Sequence, residues 1–98
     1  MAKLIKVGIG MILSVEKINP EKDYDEWAWR KKYEKFLGII ELYESERCEP
    51  GSHFALLYDK AQNWIKTGIG TLSFADEDTL VLTTKNSRYT VRILKTII

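Results

Sequence analysis

Hydrophobic and polar residues alternate near the start of the chain, between residues 4 and 16. One face of this alternation is an apolar stripe formed by Ile5, Val7, Ile9, Met11, Leu13 and Val15. The other face is mainly lysine, glycine, serine and glutamate, with Leu4 and Ile12 as apolar exceptions. A period of two over this length predicts one long, bent β-strand, or two short strands joined near the glycines.

A long helix is predicted next, from Asn19 or Asp23 to about Glu46. Asn19 followed by proline is a good helix start, and Asp23 with Glu26 forms an equally good capping box. The predicted core stripe of this helix recurs every three or four residues and consists of Trp29, Tyr33, Phe36, Ile40 and Tyr43. Because glycine weakens a helix, we expect Gly38 to lie under a crossing strand or an aromatic ring.

Four strands are predicted in the second half of the chain, at residues 53–58, 64–74, 79–84 and 88–94. Polar turns separate them at 59–63, 76–78 and 85–87. The sequence therefore predicts a single α+β domain over residues 1–98. In it, one long helix packs on a bent, mostly antiparallel five-stranded sheet or small partial barrel, in the order β-α-β-β-β-β.

A hexapeptide occurs almost unchanged twice, as IKVGIG at residues 5–10 and IKTGIG at 65–70. Glycines two residues apart in a strand leave two bare positions on one face, which suits a bend or a close backbone approach. We expect Gly8, Gly10, Gly68 and Gly70 to face close-packed backbone or aromatic rings. The alternative is a pair of bare walls against which a ligand or partner lies.

Charge and cysteine content narrow the function. The 98 residues carry 15 basic and 14 acidic side chains, for a net charge of +1. This balance lacks the basic excess of sequence-independent nucleic-acid binders and the acidic excess of a DNA mimic. A single cysteine excludes an intramolecular disulfide, and no apolar run is long enough for a membrane span. We expect a cytoplasmic protein with no membrane partner.

Catalytic and metal-binding constellations are absent from the sequence. Neither Gly-Ile-Gly segment has the third glycine of a dinucleotide fingerprint. His53 is the only imidazole; it either pairs with Cys48 or, as the simpler alternative, lies at the surface. The two residues cannot make a structural zinc site, and the acidic turn at 76–78 lacks the spacing of a calcium loop. The sequence predicts a protein that is not an enzyme and has no cofactor or metal.

Two surfaces are candidate binding sites. Trp27 lies about 200° around the predicted helix from the core position Trp29, so both cannot face one core. Trp27 either forms a cation–π pair with Lys31 or, with Arg30 and Lys31, contacts a partner or a stacked base. A second candidate surface is the outward face of the last strand, where Arg88 and Arg92 either hold phosphates or protect a sheet edge.

The last third of the chain resembles the C-terminal hairpin of small phage and mobile-element proteins. The resemblance runs from a W-x-x-T stretch at Trp64 to a T-x-N-S-x-Y ending at Thr84, Asn86, Ser87 and Tyr89. Some small phage proteins of this size inhibit bacterial immune systems by binding an effector protein or sequestering a nucleotide signal. The resemblance implies a non-catalytic accessory or inhibitor protein that binds a host protein or a small nucleotide-type ligand, with Trp64 among its binding residues.

Two further expectations follow from the residues themselves. The alternative function is a nucleic-acid-binding module that uses Trp27, Arg30 and Lys31 together with the arginines of the last strand. The surplus of large apolar residues also predicts self-association as a two-fold homodimer. The residues without an evident core position are Leu4, Ile12, Leu94, Ile97 and Ile98.

Overall fold

Seven antiparallel strands form one sheet in the computed structural model, which describes residues 2–18, 30–45 and 52–97. The strands are β1 (Ala2–Lys17), β2 (Leu37–Ser45), β3 (Ser52–Tyr58), β4 (Trp64–Lys66), β5 (Gly70–Asp76), β6 (Thr79–Thr84) and β7 (Ser87–Thr96). Their order in the sheet is β2-β1-β7-β6-β5-β3-β4, and β2 also pairs with β3. This extra pairing joins the two sides of the sheet, so the sheet closes on itself.

The interior of the closed sheet is filled by aliphatic side chains and one tyrosine. Every strand except β5 contributes to the fully buried set: Ile12, Val15, Ile40, Leu42, Ala55, Leu57, Ile65, Leu80, Leu82, Tyr89, Val91 and Ile93. Tyr33 and Phe36, from the segment before β2, pack against this core with their rings edge to face at 5.3 Å. The core is thus built almost wholly from inward-facing strand residues.

The α+β prediction is wrong, because the second half of the predicted helix is a strand. Arg30 and Lys31 are helical, residues 32–35 form turns, and Leu37–Ser45 is β2. The start of the predicted helix and its positions 19–29 lie outside the described residues. The spacing of apolar residues after Phe36 fits a helix, but it also fits a strand that is apolar on both faces. Seven strands therefore replace the predicted helix and five strands.

The outward and inward faces of β1 differ from what hydrophobic alternation suggests. Gly8, Gly10 and Ile12 are buried, whereas Ile5 and Leu13 of the apolar stripe are exposed. The glycine-bearing face of β1 therefore turns toward the core. Most of the apolar stripe lies on the outside of the closed sheet.

A register shift brings the end of the β1 stripe back inside. The pairing of β1 with β7 is irregular between Ile12 and Ser14, and Val15 is then fully buried. An extra residue of this kind reverses which face the following side chains occupy.

Gly8 and Gly70 lie against the backbone of a neighbouring strand, as predicted. A Cβ on Gly8 would lie 2.5 Å from the carbonyl oxygen of Lys95, and a Cβ on Gly70 would collide with the carbonyl of Thr83. The protein's own backbone fills the space beside these two glycines. A ligand therefore cannot lie against them, and the alternative prediction is excluded at both positions.

Gly10 and Gly68, the other two glycines of the repeat, have different surroundings. A Cβ on Gly10 would meet the side chains of Ile40 and Val91 at 3.1 and 3.3 Å and the backbone carbonyl oxygen of Arg92 at 3.4 Å, so the prediction of close packing is confirmed there too. The prediction is wrong for Gly68, which is exposed and would make only ordinary contacts with Thr84. The two copies of the hexapeptide therefore do not occupy equivalent positions.

Gly38 lies against a neighbouring strand and an aromatic ring, as expected, but in a strand and not in a helix. It lies in β2, where an added Cβ would collide with the carbonyl of Tyr58 on the neighbouring strand and lie 3.1 Å from the ring of Phe36. A close strand and a nearby ring explain this glycine without a helix.

The turns of the second half follow the prediction closely. The Asp59 carboxylate accepts backbone hydrogen bonds from Ala61 and Asn63, both at 3.0 Å, and closes the turn between β3 and β4. The turns at 77–78 and 85–86 close the hairpins around β6. The predicted strand 64–74 is interrupted at 67–69, where the buried Thr67 hydroxyl accepts a 3.0 Å hydrogen bond from the backbone of Ala55.

No helix in the described part of the chain is long and apolar enough to cross a membrane.

The contact of Gly8 with β7 gives a direct test of the glycine packing. We expect Gly8→Ala to lower the free energy of unfolding by about 1–3 kcal/mol, because the new methyl group must displace the backbone of Lys95. Gly68→Ala is the matched control; its effect should stay within about 1 kcal/mol, since the added group meets nothing closer than 3.7 Å. Urea unfolding of both variants measures the difference, and equal losses would contradict the assigned packing.

Candidate binding face

The outer surface of four adjacent strands is almost entirely apolar. We call it the apolar face. Its side chains, from β1 to β4, are Leu4, Val7, Ile9, Met11, Leu37, Ile39, Glu41, Tyr43, Phe54, Leu56, Tyr58, Trp64 and Lys66. Within this set of described residues, only Glu41 and Lys66 are charged. Outer strand positions facing water are usually polar, and an apolar composition such as this one is typical of interaction surfaces.

Strand register arranges the apolar face into cross-strand rows, because directly opposed residues of antiparallel strands project to the same side. One row runs Ile9, Ile39, Tyr58, Trp64 from β1 to β4. The next row runs Val7, Glu41, Leu56, Lys66, and a third joins Leu4, Tyr43 and Phe54.

Aromatic rings form the most prominent part of the apolar face. Tyr43 and Phe54 stack with centroids 5.0 Å apart and planes 9° from parallel, and the Lys66 ammonium lies 5.1 Å from the Phe54 centroid. Trp64 is the most exposed large apolar side chain of the face, with 56% of its surface exposed. Exposed tryptophan and tyrosine beside a basic side chain are typical anchors of protein interfaces.

Glu41 is held in place by two tyrosines. Its Oε1 accepts a 2.6 Å hydrogen bond from the Tyr43 hydroxyl, and its Oε2 accepts one of 2.5 Å from Tyr58. These bonds, from Tyr43 first and Tyr58 second, lower the pKa of Glu41 against the opposing effect of burial. The same carboxylate raises the pKa of both tyrosine hydroxyls. At neutral pH the apolar face therefore presents one fixed negative charge.

A groove of about 490 Å³ opens at one end of the apolar face. Its lining is mostly aliphatic and consists of Ile9, Leu37, Gly38, Ile39, Tyr58, Asp59 and Lys60. Asp59 is occupied by its turn, with Oδ2 also accepting a hydrogen bond from the Asn63 side chain. The volume lies in the range of sites that hold a small molecule or a large side chain.

Arg30 and Lys31, predicted as binding residues, contact their own chain. The Arg30 guanidinium donates a 2.7 Å hydrogen bond to the buried Tyr89 hydroxyl and a 3.2 Å bond to the Lys66 carbonyl. Lys31 forms a 2.8 Å ion pair with Glu34 and donates a 3.2 Å hydrogen bond to the Val15 carbonyl of β1. The contact with Lys31, together with a hydrogen bond from the backbone of Val15, lowers the pKa of Glu34. Both cations therefore fasten the segment before β2 to the closed sheet. Trp27 lies outside the described residues.

The remaining predicted binding residues separate into two places. Trp64 belongs to the apolar face on β4. Arg88 and Arg92 lie exposed on β7, where Arg88 is opposite Glu16 of β1 and Arg92 is opposite Met11. Since β7 pairs only with β1 and β6, the structure does not bring these arginines together with Trp64.

The apolar residues that suggested self-association are mostly at the surface. Leu4, Leu94 and Ile97 are exposed. Ile12 is fully buried, so it is a core residue and not one of the surplus apolar residues. Ile98 lies outside the described residues. The apolar face, which sequence alternation did not place outside, is a larger apolar surface than these residues suggested.

The only histidine lies within β3, opposite Glu44 of β2 and Gly70 of β5, and away from the apolar face. His53 is mostly buried, with its Nε2 3.9 Å from a Glu44 carboxylate oxygen. Cys48, its possible partner, lies outside the described residues. No group of three or more potential metal ligands occurs within the described ranges.

Sequence reasoning missed Glu41, Tyr43, Phe54 and Tyr58 because it placed the first two on a helix. A usable signal was present: in residues 37–43 the period-two set Leu37, Ile39, Glu41 and Tyr43 fits a strand as well as the helical stripe fits a helix. Only the pairing of β2 with β3 brings the two tyrosines to one carboxylate.

Comparison with known proteins assigns no family to this arrangement. No protein-family model matches the chain, and neither a curated protein nor a solved structure matches it. The resemblance of the C-terminal hairpin to small phage proteins therefore stays a prediction.

The hydrogen bonds to Glu41 predict a pH-dependent contribution to stability. Since folding lowers the pKa of Glu41 below its ordinary 4.5, the group stabilises the fold above that pH. This contribution is lost as the pH falls through the lower, folded value. Tyr58→Phe should cost roughly 1 kcal/mol at pH 7 and clearly less at an acidic pH below the folded pKa of Glu41, where the carboxylate is protonated.

Melting curves of wild type and Tyr58→Phe at both pH values measure this change. In a Glu41→Gln background the cost of Tyr58→Phe should become the same at both pH values. A cost in the wild-type background that does not vary with pH would contradict the role given to Glu41.

Proposed function

We propose that this chain is a non-catalytic, cytoplasmic binding protein that recognises a partner protein through its apolar face. The observation that carries the proposal is the row Ile9, Ile39, Tyr58 and Trp64, an outward apolar ladder across four strands that ends in an exposed tryptophan. Removing such a surface from water is the main driving force of protein association. The resemblance to small phage proteins supports a host protein as the partner.

The charges of the apolar face favour a protein over a nucleic acid. Its one cation, Lys66, is balanced by one anion, Glu41, so the face has no excess of positive charge. Of the four cations predicted to hold a nucleic acid, Arg30 and Lys31 bond to their own chain. The other two, Arg88 and Arg92, lie on β7, next to β1 and away from Lys66. A face without a basic excess cannot supply the phosphate contacts from which most nucleic-acid affinity comes.

A small nucleotide-type ligand is the second candidate, and the groove is the observation that favours it. Tyr58 offers a ring at the groove and Lys60 offers a cation. Calorimetric titration with a panel of mononucleotides and cyclic dinucleotides tests this candidate, and no heat change at millimolar ligand would reject it.

Affinity capture from the host's cells tests the protein-binding proposal, using wild type, Trp64→Ala and Phe74→Ala. Phe74 is the matched control because it is an aromatic residue with 55% exposure on β5, away from the apolar face. A protein held by wild type and Phe74→Ala but lost with Trp64→Ala should then be purified. Calorimetry should show its affinity falling by about 30-fold or more when Trp64 is removed.

Salt titration of the purified complex separates the remaining alternatives. An apolar protein interface should change little between 50 and 200 mM salt, whereas a phosphate-dominated contact weakens by orders of magnitude. Equal capture by all three variants, or captured material that is nucleic acid with a steep salt dependence, would contradict the proposal.

A further inference from the structure

At the centre of the apolar face, strand pairing places residues of β2 and β4 at matching positions on the two sides of β3. β3 lies between β2 and β4, and two consecutive rows cross all three strands in register. In one row Leu56 lies between Glu41 and Lys66. In the other, Tyr58 lies between Ile39 and Trp64.

This arrangement is self-complementary in charge. A two-fold axis that runs parallel to β3, in the plane between two facing sheets, exchanges β2 of one copy with β4 of the other. Glu41 of each copy then faces Lys66 of the second copy, and Leu56 faces its own equivalent. The only anion of the apolar face thereby meets the only cation, twice, as expected of an interface formed by one patch with itself.

The same rotation is complementary in shape. It places the projecting Trp64 of one copy opposite Ile39 of the other, and Ile39 lines the groove of about 490 Å³. Ile9, Leu37 and Tyr58 line the same groove, so the indole would enter between mostly apolar walls. A large exposed aromatic and an apolar cavity on one surface thus match each other.

We propose that two copies of this chain associate face to face about such an axis, with Trp64 of each copy in the groove of the other and Glu41 paired with Lys66. The inference rests on the proposed function in one respect, since it uses the same face. It adds that, without a partner protein, a second copy covers the apolar face. A partner that binds this face competes with the second copy.

Both charged groups are already held in position before association. Tyr43 and Tyr58 fix the Glu41 carboxylate, and the Phe54 ring lies under the Lys66 ammonium. Each copy therefore loses little side-chain freedom when the two faces meet. The hydroxyls take only part of the acceptor capacity of the carboxylate, so it can still accept a bond from a second cation.

Sedimentation velocity on the purified chain at micromolar concentration tests the inference. Wild type should sediment with twice the 11.4 kDa mass of the chain. Trp64→Ala should raise the dissociation constant by about 30-fold or more, while Phe74→Ala should leave it unchanged. Lys66→Glu places two carboxylates opposite each other and should raise it at least about tenfold. The exchange Glu41→Lys with Lys66→Glu should restore much of the dimer, because the opposite charges then face each other again.

Chemical cross-linking gives an independent measurement that does not depend on the charge variants folding. In a Cys48→Ser background, Leu56→Cys should be joined to its equivalent by a short bis-maleimide, because Leu56 lies on the axis. Phe74→Cys in the same background should not be joined.

The outcomes separate this inference from the proposed function. A wild-type monomer at hundreds of micromolar, or a dimer that survives both Trp64→Ala and Lys66→Glu, overturns the inference. If wild type is a monomer and Trp64→Ala still loses a captured partner, the proposed function stands alone. If wild type is the expected dimer and no partner depends on Trp64, the inference stands and the partner-binding function fails.

Discussion

The close contact between Gly8 and the backbone of Lys95 determines which way β1 faces. Only a residue without a side chain allows β7 to approach this closely, and Gly10 on the same side of β1 lies against the core side chains of Ile40 and Val91, so the glycine side of β1 turns inward. The strand alternates, and its apolar side must then face outward. β2 continues this outer surface through Ile39, and β3 continues it through Tyr58. The apolar face is thus a consequence of steric constraints inside the sheet.

The second half of the fold was predictable from sequence because its signals are local. The turn at Asp59 and the hairpins around β6 depend on residues only a few positions apart, and they lie where turn chemistry places them. The first half depends on contacts distant in sequence. Nothing local distinguishes Leu37–Ser45 as a strand from a helix, since both of its faces are apolar. The closing pair of β2 with β3 decides between them.

The candidate site shows the same division. Trp64 was predicted as a binding residue and lies exposed on the apolar face, but Arg30 bonds to Tyr89, 59 residues away in the chain. Sequence alone does not show whether a basic residue beside aromatic residues contacts a partner or a hydroxyl group in the core of its own chain. The role of the Glu41 carboxylate could not be predicted either, because its hydroxyl partner on Tyr58 comes from another strand.

Closure of the sheet also has a consequence for synthesis of the chain. β1 is made first, yet one of its two neighbours, β7, is made last. Until β7 leaves the ribosome, one edge of β1 has no strand beside it. The outward apolar residues of β1 then belong to an incomplete sheet. The nascent chain therefore carries an open sheet edge from the synthesis of β1 until that of β7. Contacts between residues so far apart also make closure a slow step, which lengthens the time for which this edge is open to pairing with another chain.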